Sequence, residues 1–446
     1  MDKNQLSRRS FLGKTALIGA AGLAGLSAVS SCSRKIKKVD YDFPPLLDKA
    51  PDGKKLRAGL IGCGNRGTGA ALNFLAAGND LEIVALADVF EDKVWDCYSK
   101  LEKQKVEVPK SNCFWGFDGY KDLLGVDLDV VILATPPRFR PEHFDAAVQA
   151  KKHVFMEKPV SVDPVGARQI IATSKKAENM GLTVVTGTQR RHQRDYLETY
   201  RQVASGAIGE ITSAKAWWLQ SHVWFRTREE GWSDMEYMLR NWNNYCWLCG
   251  DHILDTHVHN IDIVNWFLGK HPESAVGFGG RIRRLTGDQY DFFSIDFDFG
   301  NGVFSHSMSR QIDGCANSLG EQVMGTEGYT NCKNTVFHPD GSVKWRYEYP
   351  KNKEGNSTGI VEVSPYVQEH IDMVTSIREN KPVVEAERTA ISTLTAIMGR
   401  TAAYTGQKVT WDDMMNSTQK LGPEMLDMGN INMEFPVPLP GTQHKA

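Results

Sequence analysis

The sequence predicts an α/β chain of two domains, a doubly wound parallel sheet followed by an α+β domain with an open, mainly antiparallel sheet. Three observations lead to this prediction. The length of 446 residues exceeds what one hydrophobic core usually fills. Short apolar runs alternate with helical patterns over residues 56–186, which is the rhythm of βαβ units. Over residues 187–415 the pattern changes to longer alternating runs joined by a few helices.

The first 55 residues precede both predicted domains and carry the pattern of an export signal. A twin arginine, Arg8–Arg9, is followed by an apolar run rich in alanine and glycine that ends in the sequence VSSC. The run is too short and too rich in small residues for a spanning helix, and it resembles a twin-arginine signal with a lipoprotein processing site. We therefore expect residues 1–31 to be a signal, Cys32 to carry a lipid anchor, and residues 32–55 to form a polar tether. The expected location is the periplasm; a soluble signal cut nearby is the alternative.

The composition excludes some functions. Lysine and arginine number 52 against 54 acidic residues, so the chain lacks the excess of basic charge that a general nucleic-acid binder needs. Among the eight cysteines, Cys246 and Cys249 form a CxxC without a second pair at zinc-ribbon spacing. We therefore expect mostly buried, reduced cysteines and no metal, and the role of this pair stays open.

The start of the first domain carries the pattern of a dinucleotide-binding unit. The apolar run Leu56–Ile61 predicts a buried strand, a GxGxxG turn follows at once, and residues 70–77 have helical spacing. A second strand ends at Asp88, 21 residues after the third glycine. Glycines let the backbone approach a pyrophosphate at the helix N-terminus, and an acid at this point accepts bonds from ribose hydroxyls and repels a 2′-phosphate, which favours NAD over NADP. The residues expected to bind NAD here are Gly62, Gly64, Asn65, Arg66, Gly67 and Asp88.

The alternation then continues to the end of the first domain. Strand patterns occupy residues 126–137, 152–160 and 182–191, and helical patterns lie between them at residues 140–151 and 164–180. This order predicts a Rossmann-type doubly wound sheet.

The second domain shows a different order of elements. A helical pattern covers residues 196–209, and two more helices are expected late in the domain, at residues 365–380 and 390–407. Between them the strand patterns span residues 210–225, 275–285, 291–311 and 321–332, with Gly300-Asn301-Gly302 as a hairpin turn. Residues 416–446 lack periodicity, so we expect a C-terminal arm.

The segment "GDHILDTHVHNID" concentrates histidine and aspartate. We expect one helix over residues 250–267, capped by Asp251 and stopped by Gly269. In such a helix His252, Asp255, His259 and Asp262 fall within roughly 80° of one another, while His257 points to the opposite side. The three histidines therefore cannot converge on one metal ion. Asp255 and His259, at i and i+4, can form a proton-transfer pair, and the roles of His252 and His257 stay open.

Three motifs together resemble the Gfo/Idh/MocA family of oxidoreductases: "GLIGCGNRG", "EKP" at residues 157–159, and "GDHILDTHVHNIDIVNWFLG". The resemblance covers about residues 56–415. It implies a nicotinamide ring between a Rossmann domain and an α+β substrate domain, and it implies that the catalytic residues are Lys158, Asp255 and His259. It also places Thr135, Pro136, His143, Glu157, Lys158 and Gln189 near the cofactor.

The implied chemistry is hydride transfer from a carbinol carbon of a sugar or glycoside. His259 would be the base, Asp255 would orient it or a second hydroxyl, and Lys158 would bind the reacting oxygen. Export through the twin-arginine route favours a tightly held NAD and a redox-neutral cycle. A redox-assisted glycosidase and a non-catalytic sugar-binding lipoprotein remain alternatives. The open sheet predicts a homo-oligomer, while the sugar and its reacting carbon stay undetermined.

Overall fold

A computed structural model describes residues 44–431 and 434–442 of the chain. The expected signal and Cys32 lie outside the described residues. Within the described part, no helix combines the length and apolar character needed to cross a membrane.

The first sheet has six parallel strands in the order β3-β2-β1-β4-β5-β6. They are β1 (Leu56–Ile61), β2 (Leu81–Asp88), β3 (Cys113–Trp115), β4 (Val130–Leu133), β5 (His153–Met156) and β6 (Val184–Thr186). Their runs are apolar without alternation because helices cover both faces of the sheet. Those helices are α1 (Asn65–Ala76), α2 (Glu91–Lys103), α3 (Gly119–Leu124), α4 (Arg140–Gln149) and α5 (Pro164–Asn179). The order of strands reverses between β1 and β4, which is where such sheets bind ligands.

The second sheet has nine strands in the order β14-β13-β12-β11-β7-β10-β9-β8-β15. They are β7 (Ile211–Gln220), β8 (Ser274–Gly280), β9 (Phe292–Asp298), β10 (Phe304–Gln311), β11 (Ser318–Gly325), β12 (Gly328–Thr330), β13 (Thr335–Phe337), β14 (Val343–Arg346) and β15 (Val409–Thr410). Only the β7–β10 pairing is parallel, so the predicted mainly antiparallel sheet is confirmed. The expected Gly-Asn-Gly hairpin joins β9 to β10.

The second half of the described residues contains eight helices, several of which cover one face of this sheet. They are α6 (Arg194–Ala204), α7 (Asp234–Arg240), α8 (Cys246–Cys249), α9 (His252–Asp255), α10 (Val258–Leu268), α11 (Pro365–Arg378), α12 (Ala386–Thr405) and α13 (Trp411–Asn416). The opposite face is open, with Phe278 65% and Phe304 51% exposed. Helix α11 joins the other half of the molecule, because Ile371, Met373 and Val374 belong to the core that also holds β1 and α1.

Strands β7 and β8 of the second sheet end earlier than their patterns suggested. Strand β7 stops at Gln220 rather than at residue 225, because the neighbouring strands β10 and β11 pair with it no further than Gln220 and Leu219. Strand β8 stops at Gly280 because the following backbone turns onto the Asp291 carboxylate. That carboxylate accepts the N–H groups of Ile282, Arg283 and Arg284.

The predicted single helix over residues 250–267 is wrong, because α9 and α10 are separate. Asp251 does cap α9, and Gly269 ends α10 with a left-handed φ of 68°. At the break, the His257 N–H donates to His252 O, five residues back, which widens the turn by one residue. Such a turn rotates α9 by about 100° relative to α10. His252 therefore lies beside His257 against β10 rather than beside His259.

Candidate active site

A cavity of about 650 Å³ lies at the carboxyl ends of β1, β2 and β4, within the size range of ligand sites. Its lining includes nine of the expected cofactor residues: Gly62, Gly64, Asn65, Arg66, Gly67, Asp88, Thr135, Pro136 and His143. Glu157, Lys158 and Gln189 do not belong to the lining. Glu157 and Lys158 follow β5, and Gln189 comes after β6, so they lie one and two strands beyond β4 along the same edge of the sheet.

The glycine turn leaves room for an anion at the start of α1. Gly62 has a φ of 100°, and a Cβ at Gly67 would lie 1.8 Å from Gly62 O. A Cβ at Gly64 would meet nothing within 4 Å. Among the described residues no side chain caps α1, so its first N–H groups are available to a phosphate. These features fit the pyrophosphate of a dinucleotide.

We expect Gly64→Ala and Gly67→Ala to separate cofactor binding from folding. Gly67→Ala should destabilise the cofactor-free protein by about 1–3 kcal/mol, because its methyl group overlaps backbone. Gly64→Ala should melt within a few degrees of wild type, because its φ of −70° suits alanine, yet it should retain less NAD because the methyl group enters the cavity. Thermal melting together with the NAD content of purified protein tests both expectations. Equal melting of the two variants would contradict the steric argument.

Asp88 is held at the end of β2 as a ribose acceptor. Its two carboxylate oxygens accept the N–H groups of Cys63 at 2.7 Å and of Phe90 at 3.0 Å. Burial raises the pKa of Asp88, and these two donors act in the opposite direction. Each oxygen keeps a lone pair for a hydroxyl, as the sequence predicted for NAD.

A segment of the second half closes the cavity from the other side. This cover segment, residues 222–242, contributes Trp224, Phe225, Arg226, Leu239, Arg240 and Trp242 to the lining. The Arg240 guanidinium binds both oxygens of Asp92, at 2.8 and 3.1 Å, and lies 3.9 Å over the Phe90 ring. Sequence reasoning missed the cover segment as part of the cofactor site. The clustered tryptophans were the available signal, but their contact with the first half depends on the fold.

The EKP turn is tied to the glycine turn by an ion pair. Arg66 pairs with Glu157 and, at 3.1 Å, with Glu369 on α11. Glu157 is buried, and the guanidinium compensates its charge. The structure therefore shows Glu157 and Arg66 binding each other, which positions the next residue, Lys158.

Lys158 connects the two halves of the molecule. Its half-buried amino group donates a hydrogen bond to the backbone oxygen of Asp255 at the end of α9. Burial lowers the pKa of Lys158, while the negative charges of Asp255 and Glu157 counteract the shift. A lysine with a lowered pKa still carries a proton that it can share with a developing oxyanion.

His259 faces the same region from the first turn of α10. Burial and then the positive charges of Lys158 and Arg190 lower its pKa well below the ordinary value. The imidazole is therefore neutral and able to accept a proton. Its ring stacks on Trp218, with 6.0 Å between the ring centroids. Lys158 thus lies within electrostatic range of both Asp255 and His259, and these are the three residues that the resemblance implied.

The remaining expected cofactor residues are buried near this region. His143 Nδ1 lies 3.3 Å from Thr135 Oγ1, and burial together with the charge of Arg140 lowers the His143 pKa to about 3. Gln189 begins the turn after β6, and its Oε1 has no hydrogen-bond partner among the described residues. An orphaned acceptor of this kind suits the N–H₂ of a carboxamide.

The other residues of the histidine segment have structural contacts. His252 joins the Asp251 carboxylate to Ser309 Oγ, with distances of 2.9 and 3.1 Å, and His257 binds Ser307 Oγ at 2.7 Å. All five side chains are buried. Cys246 and Cys249 are buried and unpaired in disulfides.

Two family models match the chain and together cover more than half of it. The oxidoreductase family with an NAD-binding Rossmann fold matches residues 56–186, and the GFO/IDH/MocA C-terminal domain matches residues 196–330. These matches confirm the enzyme class and the NAD cofactor.

Individual proteins resemble the chain more distantly. The scyllo-inositol 2-dehydrogenase (NAD(+)) of Bacillus subtilis is 22% identical over 277 residues, which are 61% of this chain and 72% of that protein. A glycosyl hydrolase family 109 protein of Shewanella pealeana is 26% identical over 248 residues, or 54% of this chain and 53% of that protein. The matches thus span between half and three quarters of these relatives. The structure of aldose-aldose oxidoreductase from Caulobacter crescentus, complexed with glycerol, superposes with a TM-score of 0.62 at 17% identity, covering 80% of this chain and all of that one. This superposition confirms the fold class.

Proposed function

The chain belongs to the GFO/IDH/MocA oxidoreductases, and we propose that it oxidises a carbinol carbon of a sugar or glycoside with a tightly held NAD. The observation that carries the proposal is the meeting of Lys158 with Asp255 and His259 beside the cavity that fits the dinucleotide. A charged amino group and a neutral imidazole at one point are what the removal of hydrogen from an alcohol requires.

The residues divide the proton chemistry between them. Bound NAD supplies the hydride acceptor. His259 accepts the hydroxyl proton as the C–H bond breaks, because its lowered pKa keeps it neutral at physiological pH. Lys158 donates a hydrogen bond to the same oxygen and stabilises the negative charge that develops there. The Asp255 backbone oxygen holds the lysine in position.

The cover segment supports slow release of the cofactor. It closes over the cavity with aromatic side chains, and the bidentate Arg240–Asp92 pair fastens it to the N-terminus of α2. We propose that NAD is bound in the cytoplasm, that the folded protein is exported with it, and that the lipid on Cys32 anchors it in the periplasm. A cofactor that does not leave must be regenerated in place, which favours redox-neutral chemistry.

We expect Arg240→Ala to speed the exchange of bound NAD about tenfold, because a bidentate ion pair and a cation–π contact together hold the cover segment closed. The measurement is the replacement of bound NAD by isotope-labelled NAD, followed by mass spectrometry of the released cofactor. Arg228→Ala is the matched control, since Arg228 pairs with Asp234 within the same segment and does not line the cavity. Equal exchange rates in the two variants would show that Arg240 does not hold the cover segment.

The test of the proposed function begins with protein exported by a host that processes the signal. Denaturation should release close to one NAD per chain. Native protein given a sugar, without added NAD, should show the absorbance of reduced nicotinamide. Addition of a second carbonyl compound should reoxidise the bound cofactor and remove this absorbance. An enzyme purified without cofactor and active only with added NAD would contradict tight binding.

The second candidate is a redox-assisted glycosidase, which the similarity to a family 109 glycosyl hydrolase favours. In this reaction a transient ketone makes the neighbouring C–H acidic, loss of that proton expels the glycosidic oxygen and leaves an enone, water adds to the enone, and the ketone is reduced again. Release of nitrophenol from nitrophenyl glycosides without net formation of NADH would identify this reaction. Reduction of bound NAD that persists until a second substrate arrives would identify the first.

The open face of the second sheet supports a homo-oligomer. Phe278 and Phe304 project from it with more than half of each side chain exposed. Exposed apolar side chains on one face of a sheet mark a candidate interaction site. We propose that two copies pair through this face, and sedimentation of a Phe278→Ser variant tests the pairing.

A further inference from the structure

The helix-covered face of β7 reaches the active site at Trp218. Alternate residues of the strand point to this face, and Ala214 and Ala216 are buried in the core. The next residue of the row, Trp218, is half-buried and stacks against His259 with 28° between the ring planes. Helix α10 is held against β7 and β11 beside Trp218, because Asn260 Nδ2 donates to Trp217 O and Gly320 O. Trp218 therefore forms the sheet-side wall next to the proposed base.

The indole ring is held in one orientation. Its Nε1 donates to Gln220 Oε1 at 2.7 Å. The guanidinium of Arg190 lies 5.5 Å from the ring centroid, and Arg190 is itself held by Glu321 and Asn260. A ring positioned in this way needs no reorganisation when a ligand binds.

Leu319 extends the apolar area. It is the cross-strand partner of Trp218 in the β7–β11 pairing, so both side chains lie on the same face. Yet 52% of Leu319 is exposed. An exposed leucine beside an indole that stacks on His259 forms an apolar patch next to the proposed base.

We propose that Trp218 and Leu319 form a platform for the C–H face of a cyclic polyol, and that they select rings with equatorial hydroxyls over open-chain polyols. This inference rests on the proposed function. A ring with equatorial hydroxyls carries its polar groups at the rim, toward Lys158 and His259, and presents only C–H bonds to an aromatic face. An open-chain polyol has no continuous C–H face. An axial hydroxyl turned toward the indole loses its hydrogen bond to water without gaining another.

The test compares ligand binding across variants of the full, NAD-loaded protein. Calorimetric titration with scyllo-inositol and methyl β-glucopyranoside gives the affinity for cyclic polyols, and glucitol is the open-chain probe. Trp218→Ala should weaken binding of at least one cyclic polyol about tenfold, while Trp218→Phe should weaken it only about two- to threefold. Leu319→Ser should weaken the binding of cyclic polyols about threefold, and it should not impair folding because Leu319 is exposed. Binding of glucitol should change less than twofold in all variants.

The matched control is Trp217→Ala, one residue away on the opposite face of β7, where Nε1 binds Ser318 Oγ. It should leave the affinity for cyclic polyols unchanged. Three outcomes would overturn the platform. They are equal losses of affinity for ring and open-chain polyols, wild-type affinity in both Trp218→Ala and Leu319→Ser, and no binding of either cyclic polyol by the wild-type protein. Reduction of bound NAD is read separately. If polyol binding depends on Trp218 but bound NAD is not reduced, the proposed function is overturned and the platform is supported. If bound NAD is reduced equally well in both platform variants, the platform is overturned and the proposed function is supported.

Discussion

Lys158→Met should lower the rate at which a sugar reduces the bound NAD by about 10²- to 10³-fold, the usual effect of removing one donor to a developing oxyanion. NAD content should not fall, because Lys158 does not line the cavity of the dinucleotide. Thermal stability should not fall either, since burial disfavours the charged amino group and methionine fills a similar volume. Single-turnover reduction of bound NAD measures the rate.

Lys152→Met is the matched control for this substitution. Lys152 Nζ also donates to a backbone oxygen, that of Leu128, at 2.8 Å, but it lies at the start of β5 rather than at its carboxyl end. The control should reduce bound NAD at the wild-type rate. Equal activity of Lys158→Met and Lys152→Met would mean that the EKP lysine has no part in the reaction.

His259→Asn should lower the same rate by about 10²- to 10⁴-fold, the range expected for loss of a general base. Asparagine keeps a polar side chain on α10 but cannot accept the proton. His338→Asn, at an exposed position far along the second sheet, is the control and should be fully active. A His259→Asn enzyme with wild-type single-turnover rates would assign the base to another group.

The pH dependence follows from the same environment. His259 must be neutral to act, and burial together with Lys158 lowers its pKa well below the ordinary 6.5. As the pH falls, kcat/KM should therefore stay constant through pH 6.5 and decline only at lower pH. The lowered pKa of Lys158 predicts an alkaline decline that begins below 10.5. In Lys158→Met the acid limb of the residual activity should move to higher pH, because one of the positive charges that lower the pKa of His259 is gone while burial and Arg190 still act. An acid limb at the same pH in both proteins would contradict the coupling.

Local sequence determined much of the cofactor site. The spacing of Gly62, Gly64 and Gly67 and the distance to Asp88 describe a strand, a turn, a helix and a strand that are consecutive in the chain. Because these elements are neighbours in the chain, they can pack together in few ways. At Gly67 the backbone oxygen of Gly62 is so close that only glycine fits. Continuous apolar runs likewise indicated strands buried on both faces.

Only the tertiary structure decided the features that depend on distant partners. Strand β7 ends where β10 and β11 stop pairing with it, and the predicted helix divides because His252 and His257 bind serines of β10. The cover segment acquires its place by binding Asp92, far away in the chain. Trp218 and Trp217 are adjacent and chemically identical, yet only one faces His259, because strand alternation sends them to opposite sides of a sheet whose covered side is set by the packing of α10. Residue type and spacing thus determine which chemistry the chain can perform, while the packing of remote elements determines which side chains meet the substrate.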